Sequence, residues 1–143
     1  MIFAVINGPN LNLLGRRQPH IYGNQSFEVY WPKLEAAFSG HQLTYFQSNA
    51  EGALIDELHR IGFDVDGIVL NAGAYTHTSL ALADAIASIE APVVEVHLSN
   101  IFAREPIRQH SLIAASCQGS ISGFSLQSYD LGLQALIGLL SAQ

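Results

Sequence analysis

Residues 67–97 read GIVLNAGAYTHTSLALADAIASIEAPVVEVH, and they decide the fold. Gly67–Leu70 is a short apolar run with no polar face, as expected of a strand buried on both sides. Asn71-Ala72-Gly73 interrupts it. Thr78–Ile89 then carries helical spacing, with Leu82, Ile86 and Ile89 on one face and a Thr or Ser at the start. Pro92–Val96 is a second buried run. Strand, helix and strand in so short a span make a βαβ unit, whose strands are parallel.

The same alternation continues on either side. Ile2–Ile6 is an apolar run that ends abruptly in Asn-Gly-Pro-Asn. Phe27–Phe38 has helical spacing at Val29, Leu34 and Phe38 after a Ser26 cap, and Pro32 predicts a kink or a late start. Leu43–Phe46 reads as a strand, and Ala50–Ile61 as a helix stopped by Gly62 with Leu54, Leu58 and Ile61 on one face. Ser120–Phe124 is a weaker fifth strand. Leu126–Leu140 is a final helix apolar on more than one side, one face for the sheet and another for a second subunit. Five strand–helix units imply an α/β chain: one domain over residues 1–143, a flavodoxin-like three-layer sandwich with a five-stranded parallel sheet in the order 2-1-3-4-5. The connection between strands four and five is the least regular, and no long helix is expected there.

Composition narrows the function. The net charge is −6 with six Lys plus Arg, which argues against nucleic acid because phosphate binding relies on clustered cations. No apolar stretch approaches a membrane span, and MIFAVI is too short to be a signal peptide. A lone Cys117 excludes both a disulfide framework and a thiolate zinc site. A cytoplasmic chain is the expectation. Charged residues are 13% of the sequence, against about 25% in ordinary soluble domains, so much of the surface is expected to be hidden in an oligomer.

Ligands of such sheets bind beyond the carboxyl ends of the strands. Each of the first four runs exits into a polar cluster: Asn7-Gly8-Pro9-Asn10, Gln47-Ser48-Asn49, Asn71-Ala72-Gly73 and Glu95-Val96-His97-Leu98-Ser99-Asn100. One such exit is an ordinary turn; four on one rim form a polar site. Glu95 and His97, two apart on a strand, share a face. A carboxylate there fixes the tautomer of an imidazole and suits it to general-acid work. It serves equally as a structural pair, although burying charge at a central strand end is costly and favours function. Residues 15–24, GRRQPHIYGN, form a glycine-hinged loop able to close over a ligand. Phenols titrate near pH 10 and are poor bases at neutral pH, but a neighbouring guanidinium favours the phenolate. The same segment also reads as a surface turn with a packing tyrosine. Asn71 and His77 flank a helix N-terminus that favours an anion. Arg104 and Arg108 share a side if Ala103–Gln109 is helical, which Pro106 limits, and either could hold a carboxylate.

Other chemistries have no residues to carry them. There is no GxxxxGK[ST], no GxGxxG after a strand, no HExxH and no GxSxG. The single Lys33 sits in the first helix, a poor place for an imine nucleophile. Proton transfer without metal or cofactor is the reading that remains, with a flavin- or phosphate-binding module or a purely structural oligomer as the readings that the fold alone would allow.

Taken together, INGPNLNLLGRRQPHIYG, FQSNAEGALID, NAGAYTHTSLALADAI, EVHLSNIFARE and GSISGF with SYDLGL resemble the type II 3-dehydroquinate dehydratases over nearly the whole chain. The resemblance implies a cofactor-independent loss of water from 3-dehydroquinate, giving 3-dehydroshikimate through an enolate, in the shikimate pathway of aromatic amino acid biosynthesis. It matches Tyr22 to the general base and Arg17 and Arg104 to the arginines beside it. It matches Asn10 to the holder of a water at the enolate oxygen, His97 to the general acid and Glu95 to its orienting partner. Substrate contacts carry over to Asn71, His77, Asp84, Leu98, Ser99 and Arg108, with Asp84 reaching a neighbouring subunit's site in a dodecamer built from trimers. The chain departs from the commoner pattern at Gln18, Phe102, Pro106-Ile107 and Asp130-Leu131-Gly132, none of them a catalytic match.

Overall fold

A computed structural model describes residues 1–143. Five strands form one parallel sheet: β1 Ile2–Asn7, β2 Gln42–Gln47, β3 Gly67–Asn71, β4 Val93–His97 and β5 Gly119–Ser122, in the order β2-β1-β3-β4-β5. The helices are α1 Pro19–Tyr22, α2 Phe27–Ala37, α3 Glu51–Ile61, α4 Leu80–Ala87 and α5 Gln127–Ser141. The expected architecture and strand order are both present.

Strand periodicity splits the core into two layers. Ala4, Ile6, Ile68, Leu70 and Val93 pack with Leu54 and Leu58 of α3 and Leu82 and Ile86 of α4. Their strand neighbours Phe3, Val5, Val69, Val94 and Val96 pack with Phe27 and Leu34 of α2 and Tyr129, Leu133 and Leu136 of α5. Successive side chains point to opposite faces, so a strand apolar at every position feeds both layers. The outer strands β2 and β5 contain no fully buried residue, as suits sheet edges.

Several local expectations are corrected. Helix α2 starts at Phe27 with Ser26 as its cap, the Ser26 hydroxyl accepting from Val29 N–H, and it runs through Pro32 without a late start. Its inner face is Phe27, Tyr30 and Leu34, while Val29 points to solvent, because one step of the 100° wheel separates the two readings. Gly62 does end α3, but in ordinary right-handed conformation. A Cβ there would stand 2.4 Å from Ile89 Cγ2, so glycine is required for close packing and not for a left-handed turn. Helix α4 begins only at Leu80, capped by Ser79, since residues Gly73–His77 first make a 3-10 turn. The β4–β5 connection carries three short 3-10 turns and no long helix.

Parallel register levels the strand ends. Asn7 lies opposite both Gln47 and Asn71, and His97 opposite Ser122. The loops leaving β1 and β3 then touch. A Cβ on Gly8 would fall 2.5 Å from the Ala72 carbonyl oxygen, so this approach needs glycine.

Candidate active site

One cleft opens at the carboxyl ends of the strands, with about 570 Å³ of empty space including its mouth. It is walled by the β1 exit (Pro9, Asn10, Leu11), the β3 exit (Asn71, Gly73, Ala74, His77), the β4 exit (His97, Leu98, Ser99, Ile101), the residue 15–24 loop (Arg17, Tyr22) and the next turns (Arg104, Arg108). Ten of the twelve residues singled out in the sequence meet here. Glu95 lies directly behind His97 with no solvent exposure. Asp84 sits on the exposed side of α4, outside this chain's own cleft.

The loop tyrosine is held by two cations. Arg104 Nη1 donates to the Tyr22 hydroxyl oxygen at 3.0 Å, and Arg17 Nη2 approaches it at 3.4 Å. Both guanidiniums also lie over the phenol ring, at 4.6 Å for Arg17 and 5.5 Å for Arg104 from its centroid. Arg17 reaches back over one turn of chain, whereas Arg104 comes from beyond β4, so the loop is closed onto the strand ends.

The histidine is held by an anion. His97 Nε2 stands 2.7 Å from Glu95 Oε1, and the Ser111 hydroxyl donates to the same oxygen at 2.7 Å. Burial alone would raise the Glu95 pKa; the hydrogen bond and charge of His97, helped by Ser111, outweigh it and hold the carboxyl below its ordinary value. With Nε2 committed to Glu95, Nδ1 of His97 is left for a ligand.

His77 stacks near His97, ring centroids 6.2 Å apart. Its Nδ1–H donates to the His110 carbonyl at 2.8 Å. Burial lowers the His77 pKa; the His110 bond opposes this, and the positive fields of His97 and Arg108 add to it. His77 is therefore neutral near pH 7, with Nε2 as an acceptor. Arg108 is anchored by Glu105, Nε to Oε1 at 2.6 Å, and the other Glu105 oxygen stands 3.9 Å from Arg104 Nε. Arg104 follows one 3-10 turn in extended conformation and Arg108 ends the next, so the two do not share one helix face.

The β2 exit does not line the cleft. Gln47 Nε2 donates to the Gly8 carbonyl at 3.2 Å, and Asn49 Oδ1 accepts from Asn10 N–H at 2.9 Å. It braces the β1 loop, holding Asn10 in a left-handed conformation with φ 69° that asparagine tolerates. Sequence reasoning missed Glu105, Ser111 and the His110 carbonyl. All three lie in the irregular β4–β5 connection, where no period marks which side faces the site. Burial pushes the Cys117 thiol up to about 12, so it is no nucleophile. No three His, Cys, Asp or Glu side chains gather as metal ligands, and no helix is long and apolar enough to cross a membrane.

Comparison with known proteins gives this arrangement its place. The family described as dehydroquinase class II matches residues 1–137. The chain belongs to that family. Among its class II dehydroquinase relatives, a 3-dehydroquinate dehydratase of an Exiguobacterium species is 56% identical, over 96% of this chain and 94% of that one. One from Carboxydothermus hydrogenoformans is 51% identical, over 98% of this chain and 92% of the relative. The crystal structure of a type II dehydroquinase from Butyrivibrio crossotus superposes with a TM-score of 0.91 at 42% identity, covering 96% of this chain and 97% of that one.

Proposed function

We propose that this class II dehydroquinase removes water from 3-dehydroquinate to give 3-dehydroshikimate, a step of the shikimate pathway, with Tyr22 as general base and His97 as general acid and with no cofactor. The observation that carries the mechanism is the pairing of opposite charges with the two groups. The Tyr22 oxygen meets two guanidiniums, and His97 meets a buried carboxylate, on the walls of one cleft.

Each environment supports one direction of proton flow. Cations at the phenol oxygen stabilise the phenolate, which takes the proton beside the ketone. The electron pair moves into the carbonyl to form an enolate, whose oxygen charge a water held by Asn10 stabilises. As the enolate collapses, the carbon–hydroxyl bond breaks and His97 gives its proton to the departing oxygen, so that water leaves. Glu95 orients the ring and balances the imidazolium before transfer. Asn71, His77, Leu98, Ser99 and Arg108 contact the substrate, with the Arg108 guanidinium suited to its carboxylate.

The exposed position of Asp84 suits a role in a neighbouring subunit's site, in a dodecamer built from trimers in the cytoplasm. The test of the activity is direct. Purified protein mixed with 3-dehydroquinate should develop the near-ultraviolet absorbance of a conjugated enone, at a rate unchanged by chelator or borohydride. Folded protein without turnover would overturn the reading, and sensitivity to either reagent would replace its mechanism.

A further inference from the structure

Behind the cleft wall runs a chain of buried hydrogen bonds that the mechanism above does not use. Asn7 and Asn71 end β1 and β3 and lie opposite one another in the register. Both reach the hydroxyl of Tyr129, which α5 sets against the sheet with no solvent exposure. One backbone group fixes the direction of every bond. Gly73 N–H can only donate, so the Asn71 atom it meets at 3.2 Å is the carbonyl oxygen Oδ1. The other end of that amide is Nδ2, 3.0 Å from the Tyr129 oxygen, and it too can only donate. Tyr129 therefore accepts from Asn71 and gives its own hydrogen to Asn7 Oδ1 at 2.7 Å. Asn7 Nδ2 passes the polarity on to the Tyr45 oxygen, 3.4 Å away.

We propose that Tyr129 is a positioning residue for the reaction, its hydroxyl holding the Nδ2 end of the Asn71 amide, whose orientation Gly73 N–H sets, so that a fixed N–H and a fixed lone pair face the substrate. The inference rests on Asn71 being a substrate contact, as proposed above. Asn71 spends one N–H on Tyr129 and one lone pair on Gly73, and as a cleft residue it keeps one of each for a ligand. Without the Tyr129 oxygen the amide would be held at one end only, by Gly73 N–H, and part of the binding energy would go into fixing it. Burial raises the phenol's pKa, so the hydroxyl keeps its hydrogen throughout the working range. The ring itself is wedged by Phe27 and Tyr30, with centroids at 5.1 and 6.0 Å, so losing only the oxygen leaves the packing in place.

The test is steady-state kinetics of Tyr129→Phe, Asn71→Ala and the double variant beside the wild-type enzyme. Tyr129→Phe should raise KM for 3-dehydroquinate about five- to tenfold, the share of binding energy then spent on fixing the amide. Its kcat and pH profile should stay close to wild type, and the double variant should match Asn71→Ala alone, because Tyr129 acts through Asn71. A KM unchanged in Tyr129→Phe, or effects of the two substitutions that multiply, would assign the tyrosine a packing role and overturn the inference. If circular dichroism shows Tyr129→Phe unfolded, Asn7→Ala removes the acceptor of the same hydroxyl; a raised KM then supports the lock and an unchanged one overturns it. Wild-type protein without turnover would contradict the dehydratase reading itself, whereas an active wild type with an unaltered Tyr129→Phe contradicts only the lock.

Discussion

Glu95 Oε1 accepts from both His97 and Ser111, and this double engagement has consequences for pH. The carboxyl titrates below its ordinary value of 4.5 in the folded chain. As pH falls, the unfolded chain takes up this proton first. The stability from Glu95 is thus complete above about 4.5 and is lost as pH drops through the lower folded-state value. His77 adds to the same trend, since its lowered pKa makes the folded chain resist protonation below the usual histidine range. Glu95→Gln keeps an acceptor for the imidazole but removes the charge. It should lower kcat about 10²-fold, and the difference in urea midpoint between wild type and variant should shrink between pH 7 and pH 4. A constant difference would mean that the carboxylate charge contributes nothing. Glu95 and His97 are legible in sequence because two residues apart on a strand share a side. Ser111 is not, because it arrives from 16 residues away along an aperiodic path.

Helix α2 tolerates a proline where a backbone donor belongs. Pro32 lies inside Phe27–Ala37 and cannot bond the Glu28 carbonyl one turn earlier, on the solvent side of the helix. Pro32→Ala restores that bond and should raise unfolding stability by about 1–3 kcal/mol, read from the urea midpoint, with turnover unchanged. A loss of stability would show that the ring makes a packing contribution larger than the missing bond. The elements read most clearly from sequence were those with a complete period, such as Leu54, Leu58 and Ile61 on α3. The start of α4 was harder, because Thr78 and Ser79 are both good caps and only Ser79 bonds Leu82 N–H. The role of the β2 exit was hidden for a different reason. Gln47 and Asn49 look like ligand residues until the register shows them facing the β1 loop across a sheet edge.

At the scale of the molecule, polar and apolar surface are distributed in a way that one chain does not explain. Leu80 is 66% exposed at the start of α4, and Asp84 lies one turn further along the same outer face. Phe102 and Ile107 are each 68% exposed on the turns that carry Arg104 and Arg108. If this face meets a second subunit, Leu80→Arg should lower the mass seen by sedimentation and depress activity together, by withdrawing Asp84 from the neighbouring site. An unchanged mass and rate would remove α4 from any interface. The strand order was legible because apolar runs alternated with helices throughout; the assembly was not, since low charge content gives an area to hide and no geometry for hiding it.

Only the whole fold brings the residue 15–24 loop to the end of β4, and the central claim is that the loop tyrosine takes the proton there. Tyr22→Phe tests it most directly, with turnover of 3-dehydroquinate and ligand-induced thermal shift measured on the same preparation. Turnover should fall by about 10²–10⁴-fold or more, while the ligand still raises the melting temperature as it does in the wild-type protein. Turnover retained near the wild-type rate would contradict the account and remove Tyr22 from the base role.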